Sequence, residues 1–260
     1  MSKNLFKRIV LKTSYTKRIA YFLNGFFYMT LIPIFEITKY IQKTYFFVAF
    51  HHNWTLAKKV PTFFKQESNL YTWIFKPQNV HFAISPSLAR TYLSNDSIVL
   101  DIGCGDGLID YLFFSDIAKR IDAIDTSIDA IKLAKSKNKN SNINYLCTSF
   151  LDFQPNVEEY DYIFWNDSID YFSLSEINLS FKKIKKMMGV NSKLHIKTPI
   201  SKVSPITKTN HMKSYVDDYR KFLKFLEQHF MILDYRLTNY QFRNDIDVIL
   251  SKKDSFRTIS

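Results

Sequence analysis

The stretch Ile98-Val99-Leu100-Asp101-Ile102-Gly103-Cys104-Gly105-Asp106-Gly107 constrains the fold of this chain more than any other. An apolar run of strand length ends on an acid and passes into three glycines at alternate positions. Such a run reads as a buried strand. The glycines let the backbone turn tightly and approach a ligand where a side chain would collide. A further acid, Asp125, follows 22 residues after Gly103, at the end of the next apolar run.

The chain around this segment alternates in type. Expected strands are Ser97 to Ile102, Ile121 to Asp125, Ile143 to Cys147, Tyr160 to Asn166, Lys193 to Thr198, Met231 to Leu237 and Ile246 to Leu250. Expected helices are one opening at Ser85 (cap) and Pro86 (first turn), then Leu108 to Lys119, Ser127 to Lys137, Ser175 to Met188 and Ser214 to His229. Repeated strand–helix–strand units imply parallel strands joined by right-handed crossovers, with helices on both faces. The last two strands lie too close in sequence for a helical crossover, so they form an antiparallel pair at one edge. The expectation is a seven-stranded, mostly parallel α/β sheet over residues 84–260.

Residues 1–83 differ in character and read as a helical, basic, aromatic extension. The chain has a net charge of +12. Residues 1–66 hold eleven Lys or Arg residues against one acid, Glu36, so +10 of that charge lies there. The uncharged run Ile19 to Phe35 spans 17 residues and contains Asn24, Gly25, Thr30 and Pro33, short for a membrane-spanning helix. Three uses stay open: a lid packed on the substrate cleft, a helix in the interface of an anionic membrane, with cations at head groups and aromatics at the acyl boundary, and, least favoured, a true span. The two cysteines, Cys104 and Cys147, indicate no disulfide framework and a reducing, cytoplasmic setting. No Cys/His grouping has zinc spacing. Adjacent His51 and His52 point to different sides of a regular element.

The glycine loop admits two readings. Dinucleotide-binding loops keep their third glycine three residues after the second, whereas Gly103, Gly105 and Gly107 alternate, and acidic Asp106 would be a poor neighbour for a pyrophosphate. Val99 to Gly107 is similar to the first motif of class I S-adenosylmethionine-dependent methyltransferases, and the resemblance extends over roughly residues 84–252. It implies a Rossmann-like fold with S-adenosyl-L-methionine as cofactor. Asp101 would then orient the loop and the methionine amino group, Gly103, Cys104 and Gly105 would pack on the cofactor, and Asp125 with Thr126 would meet the ribose. Where the family usually places an acid for the adenine amino group, this chain has Ser149, followed by Phe150, which would cover the adenine ring. Asn166 completes the expected cofactor set.

The acceptor side falls at the carboxyl end of the strand Tyr160 to Asn166, where Asp167, Asp170 and Tyr171 are candidates for substrate contact. Family members that methylate exocyclic amines carry Asn or Asp, then Pro-Pro and an aromatic here. Asn166-Asp167-Ser168-Ile169 departs from that pattern. Methyl transfer needs alignment, removal of a proton and a dry site. His211, in the loop after Pro199, is the first candidate for the base, ahead of His195, which a central strand would bury. His81, just before this region, is a further candidate to reach the cleft. The expected function is methyl transfer to a small-molecule, glycan or lipid-linked acceptor, at oxygen. The alternatives are an RNA methyltransferase gripping phosphates with its basic arm, nucleic acid being the less favoured partner, or a non-catalytic methyltransferase-like scaffold.

Overall fold

The computed structural model describes residues 81–200, 216–239 and 244–253, and six single helical positions nearer the N-terminus: Phe26, Met29, Pro33, Ile34, Ile37 and Tyr40. The chain divides into two compact units, Met1–His51 and His52–Ser260.

In the second unit the elements run α1 (His81–Arg90), β1 (Ile98–Ile102), a π-helical turn (Asp110–Phe114), β2 (Arg120–Asp125), α2 (Ile128–Lys137), β3 (Ile143–Cys147), β4 (Tyr160–Asn166), a 3-10 turn (Ile169–Tyr171), α3 (Leu174–Met187), β5 (Met188–Ile200), α4 (Tyr219–Glu227), β6 (Met231–Asn239) and β7 (Asn244–Ser251). The sheet order is β3-β2-β1-β4-β5-β7-β6. Strands β1 to β5 pair in parallel, and β7 is antiparallel to both β5 and β6. This is the expected seven-stranded sheet with its antiparallel edge hairpin. Strand order reverses between β1 and β4, the place where open α/β sheets leave a crevice beyond their carboxyl ends.

Strand alternation gives the two faces different chemistry. Under α3 and α4 lies an apolar layer of Leu100, Ile102, Ile163, Trp165, Leu194 and Ile196, into which α3 inserts Ile177, Phe181 and Ile184. Under α1, the π turn and α2 the strands begin apolar, with Val99, Ile121, Ala123, Tyr162 and Phe164. Two residues further along, the same face turns polar. Asp101 follows Val99, Asp125 follows Ala123, Asn166 follows Phe164, and Lys197 follows His195. A period of two thus delivers four polar side chains to one face at the carboxyl edge.

Local chemistry sets most helix ends. Ser127 caps α2 by accepting the Ala130 N–H at 3.3 Å. Ser173 and Glu176 form a reciprocal capping box, so α3 starts before the expected Ser175. Asp218 caps α4, which is shorter than the expected Ser214 to His229. Three other expectations need correction. Helix α1 is described over His81–Arg90 and carries Pro86 in its interior, while Ser85, expected as its cap, turns inward with its Oγ 3.3 Å from His195 Nε2. The helix expected to reach Lys119 ends at Phe114, wound as a π turn by the Ser115 N–H donating to Asp110 O at 2.9 Å. Strand β5 takes in the expected glycine turn, since Ser192 Oγ accepts from Gly189 N and donates to Tyr160 O, both at 2.6 Å, across a register shift against β4.

Candidate functional site

The glycine loop sits over the β1–β2 junction. The Gly103 and Cys104 N–H groups both donate to Ile124 O, at 2.8 and 3.0 Å. Gly103, Gly105 and Gly107 have φ of +81°, +58° and +70°, the left-handed region that side chains rarely adopt. Asp125 ties the loop to the next helix, its Oδ2 accepting from Gly105 N at 3.0 Å and its Oδ1 from Ser127 N at 2.7 Å. Each carboxylate oxygen has a second lone pair, so both retain capacity for ligand hydroxyls. Thr126 beside it is exposed, and Cys104 is buried with its thiol pushed well up by desolvation and the surrounding aspartates. Such a thiol is a packing group rather than a nucleophile.

Beneath the loop lies an acidic pair. Asp101 is 3% exposed, and burial pushes its carboxyl up to about 7, against a lowering hydrogen bond with Asp110. Asp110, on the π turn, is fully buried and held well above the ordinary carboxylate range by desolvation and by the charge of Asp101. Among the described residues neither Asp110 oxygen meets a nitrogen or hydroxyl donor. The bond between the two carboxyls therefore uses a proton carried by Asp110, and Asp101 is the first of the pair to ionise. Asp106 is raised by burial to about 6.

This arrangement links stability to pH. Both pair members bind protons more strongly folded than unfolded, so stability falls as pH climbs from about 4, where the unfolded chain ionises, through about 7 for Asp101 and further for Asp110. Asp110→Asn keeps the shape and offers Asp101 an amide donor. It is expected to raise stability at pH 8 by about 1–3 kcal/mol and to change little at pH 4.5. Urea unfolding at both values checks this, and an equal shift at both would contradict the shared proton.

On the far side of the loop, Ser149 Oγ donates to Asp152 Oδ2 at 2.6 Å and accepts from Asp152 N at 3.1 Å. The acid lacking at position 149 thus stands three residues later, bound to that hydroxyl. The Phe150 ring is turned into the core, 6.1 Å from Trp165, so the open ring expected over an adenine is not present in this arrangement. Lys183 of α3 pins the segment, its Nζ donating to the carbonyls of Phe150 and Leu151, both at 2.9 Å, and to that of Phe153. Cys147 at the end of β3 is exposed.

At the end of β4, Asn166 Oδ1 is buried and accepts no hydrogen bond from the described residues. Asp167 has φ +54°, the one non-glycine residue in the left-handed region among those described. Its N–H donates to Lys197 O at 2.9 Å, and its Oδ2 stands 2.7 Å from Lys197 Nζ. Ser168 meets the glycine loop. Its Oγ donates to Ile102 O at 2.8 Å, and a Cβ placed on Gly103 would lie 2.4 Å from it. Asp170 is buried, and Tyr171 closes the 3-10 turn. The structure therefore brings Asp101, Gly103, Gly105, Asp125, Asn166 and Asp167 to one edge.

The histidines do not join them. His195 is fully buried, its pKa lowered by desolvation despite Asp247. The neutral ring donates from Nε2 to Asp247 Oδ1 at 2.9 Å and accepts the Tyr162 hydroxyl at Nδ1, at 2.8 Å. His81 lies in α1, and His51, His52 and His211 lie outside the described residues. Sequence reasoning passed over Asp110, Lys183, Lys197 and Asp245. A lysine inside the apolar strand Leu194-His195-Ile196-Lys197-Thr198 was the available signal, since such a charge is buried only when paired. Among the described residues no group of three or more His, Cys, Asp or Glu is arranged to hold a metal ion.

A family model described as a methyltransferase domain matches residues 99–189. No curated protein matches the chain. The fold is similar to that of the N-methyltransferase NodS from Bradyrhizobium japonicum WM9, at 16% identity over 69% of this chain and 98% of that one, with a TM-score of 0.58. NodS in complex with S-adenosyl-l-homocysteine matches at 16% identity over 73% of this chain and 94% of that one, also with a TM-score of 0.58. The PH0226 protein from Pyrococcus horikoshii OT3 matches at 19% identity over 73% and 98%, with a TM-score of 0.56.

Proposed function

Because the chain carries a class I S-adenosylmethionine-dependent methyltransferase domain, we propose that it transfers a methyl group to oxygen of a small-molecule, glycan or lipid-linked acceptor. The donor supplies an electrophilic methyl on a sulfonium. The residues present fit it: three left-handed glycines keep the backbone bare, Asp125 offers acceptor lone pairs at the end of β2, and Asn166 Oδ1 is a buried acceptor without a donor among the described residues. Asp101 as an anion suits the donor's cationic amino acid end.

For the acceptor side, the observation that carries the reading is the contact of Ser168 with the loop at Gly103. It sets Asp167, a carboxylate held at the sheet edge, immediately beside the donor loop. A carboxylate there takes a proton from a hydroxyl as oxygen is methylated. Asn166-Asp167-Ser168-Ile169 lacks the Pro-Pro-aromatic sequence used for exocyclic amines. Tyr171 closes the same turn and contacts the acceptor in this proposal, while His211 remains the alternative base.

We further assign the N-terminal region to the surface of an anionic membrane, with the catalytic unit on the cytoplasmic side. Support comes from the charge of residues 1–66 and from exposed apolar side chains at helical positions Phe26, Met29, Ile34, Ile37 and Tyr40. Among the described residues no helix is long and apolar enough to cross a membrane.

Transfer of labelled methyl into cell lysate split into lipid, small-molecule, glycan, RNA and protein fractions tests the acceptor class. Label is expected in one of the first three, with base-stable linkage to oxygen. Label confined to RNA and falling steeply with salt would replace this reading with the RNA-directed one, and absence of S-adenosylmethionine binding would replace it with a scaffold.

A further inference from the structure

Lys197 is 1% exposed, and its Nζ stands 2.7 Å from Asp167 Oδ2 and 3.3 Å from Asp245 Oδ2. A buried ion set of this kind is a weak source of stability, because desolvating the charges offsets their attraction. Its geometry suits a different task. Asp167 occupies the left-handed region at φ +54°, which costs an aspartate on the order of 1 kcal/mol. Two contacts that hold it there end on the same residue: its N–H on the Lys197 carbonyl, and its carboxylate on the Lys197 ammonium.

Lys197 is itself fixed from several sides. Asp245 holds it from β7, and the ring of Phe82 on α1 lies 5.5 Å from its Nζ. His195, two residues back on the same face, is locked by Tyr162, Asp247 and Ser85. The side chain of Asp167 is 20% exposed and that of Lys197 is 2% exposed. The carboxylate faces the edge of the sheet, and the cation stands behind it.

We propose that Lys197 is a positioning residue for acceptor chemistry, holding Asp167 in its left-handed turn with the carboxylate directed at the acceptor hydroxyl. This rests on the oxygen-directed reading above. The acceptor oxygen forms its bond to the methyl carbon, the carbon–sulfur bond breaks with its electron pair left on sulfur, and the hydroxyl proton passes to the Asp167 carboxylate. Lys197 balances that carboxylate before the transfer, and Asp245 shares the cation. Lys197 touches neither donor nor acceptor.

The test compares wild type with Lys197→Met/Asp245→Asn, which removes one buried charge of each sign, and with Asp167→Asn, since asparagine tolerates the left-handed region. Melting temperature and calorimetry with S-adenosylhomocysteine first establish that each variant folds and binds within threefold of wild type. In labelled-methyl transfer into the fraction that wild type labels, both variants are expected to lose about 100-fold in kcat with the KM for S-adenosylmethionine within threefold. Their combination is expected to lose no more, because they act as a unit. A kcat within threefold of wild type in the lysine variant, or losses that multiply on combination, would overturn the assignment. If wild type labels no fraction, the acceptor reading fails by itself. The amide–Hα coupling of residue 167 then decides: a value unchanged in the lysine variant overturns the role of Lys197, and a shift to an extended-backbone value supports it.

Discussion

Gly107→Ala is expected to destabilise the catalytic unit by roughly 2–5 kcal/mol, from a left-handed backbone penalty of about 1–2 and an overpacking cost of about 1–3. At φ +70°, a Cβ on residue 107 would lie 2.3 Å from Tyr145 Cε1 and 2.5 Å from both Cζ and the hydroxyl oxygen. Tyr145 cannot swing away. Its ring is in the buried cluster beneath α2, and its hydroxyl shares its one proton between Gly107 O at 3.1 Å and Asn138 O at 2.9 Å. Asn138 in turn donates to Asp106 O at 2.8 Å, so the loop and the end of α2 are held by one set of bonds. Urea unfolding gives the stability loss, and calorimetry is expected to detect no S-adenosylhomocysteine binding in whatever fraction stays folded. A variant as stable as wild type would mean that the loop has another conformation.

Asp125→Ala is expected to weaken S-adenosylhomocysteine binding by about 100-fold or more, the scale of losing charge-assisted hydrogen bonds to a carboxylate. The carboxylate has two tasks in one place. It receives the Gly105 and Ser127 N–H groups and so fixes loop and helix relative to each other, and each oxygen keeps a second lone pair for a ligand hydroxyl. Burial raises its pKa, opposed by the backbone donors, so the folded chain keeps the charge there by hydrogen bonding. Asp125→Asn retains one accepting oxygen and is expected to lose about tenfold. Calorimetry on both variants, with melting temperatures as the check on folding, decides. Affinities within threefold of wild type in both would remove Asp125 from the cofactor site.

Most of the second unit was legible in local pattern. The seven strands, their parallel core and the antiparallel edge pair followed from apolar runs alternating with helical segments, and from too short a connection before the last strand. Gly103, Gly105, Gly107 and Asp125 were legible because backbone conformation and strand-end position are local properties. The errors cluster where a distant residue overrides a local rule. Ser85 and Pro86 read as a helix start, yet α1 runs through them and Ser85 reaches His195 across 110 positions. Phe150 read as a ligand cover, yet Trp165 and Lys183 draw it into the core.

The site divides along the same line. By itself, the sequence determined the glycine loop: a buried strand with an acid next to its last residue, glycines that adopt positive φ, and a second acid at the end of the next strand, all within residues 98–125. Only the tertiary structure decided what surrounds Asp167 and Asp101. Lys197, Asp167 and Asp245 meet there from β5, the end of β4 and β7, and Asp110 turns under Asp101 through a π turn that no spacing announces. The physical reason is that backbone conformation is set by neighbours in sequence, whereas burial and charge pairing are set by neighbours in space. A lysine in an apolar strand reveals that a partner must exist, and the register of the sheet says which one.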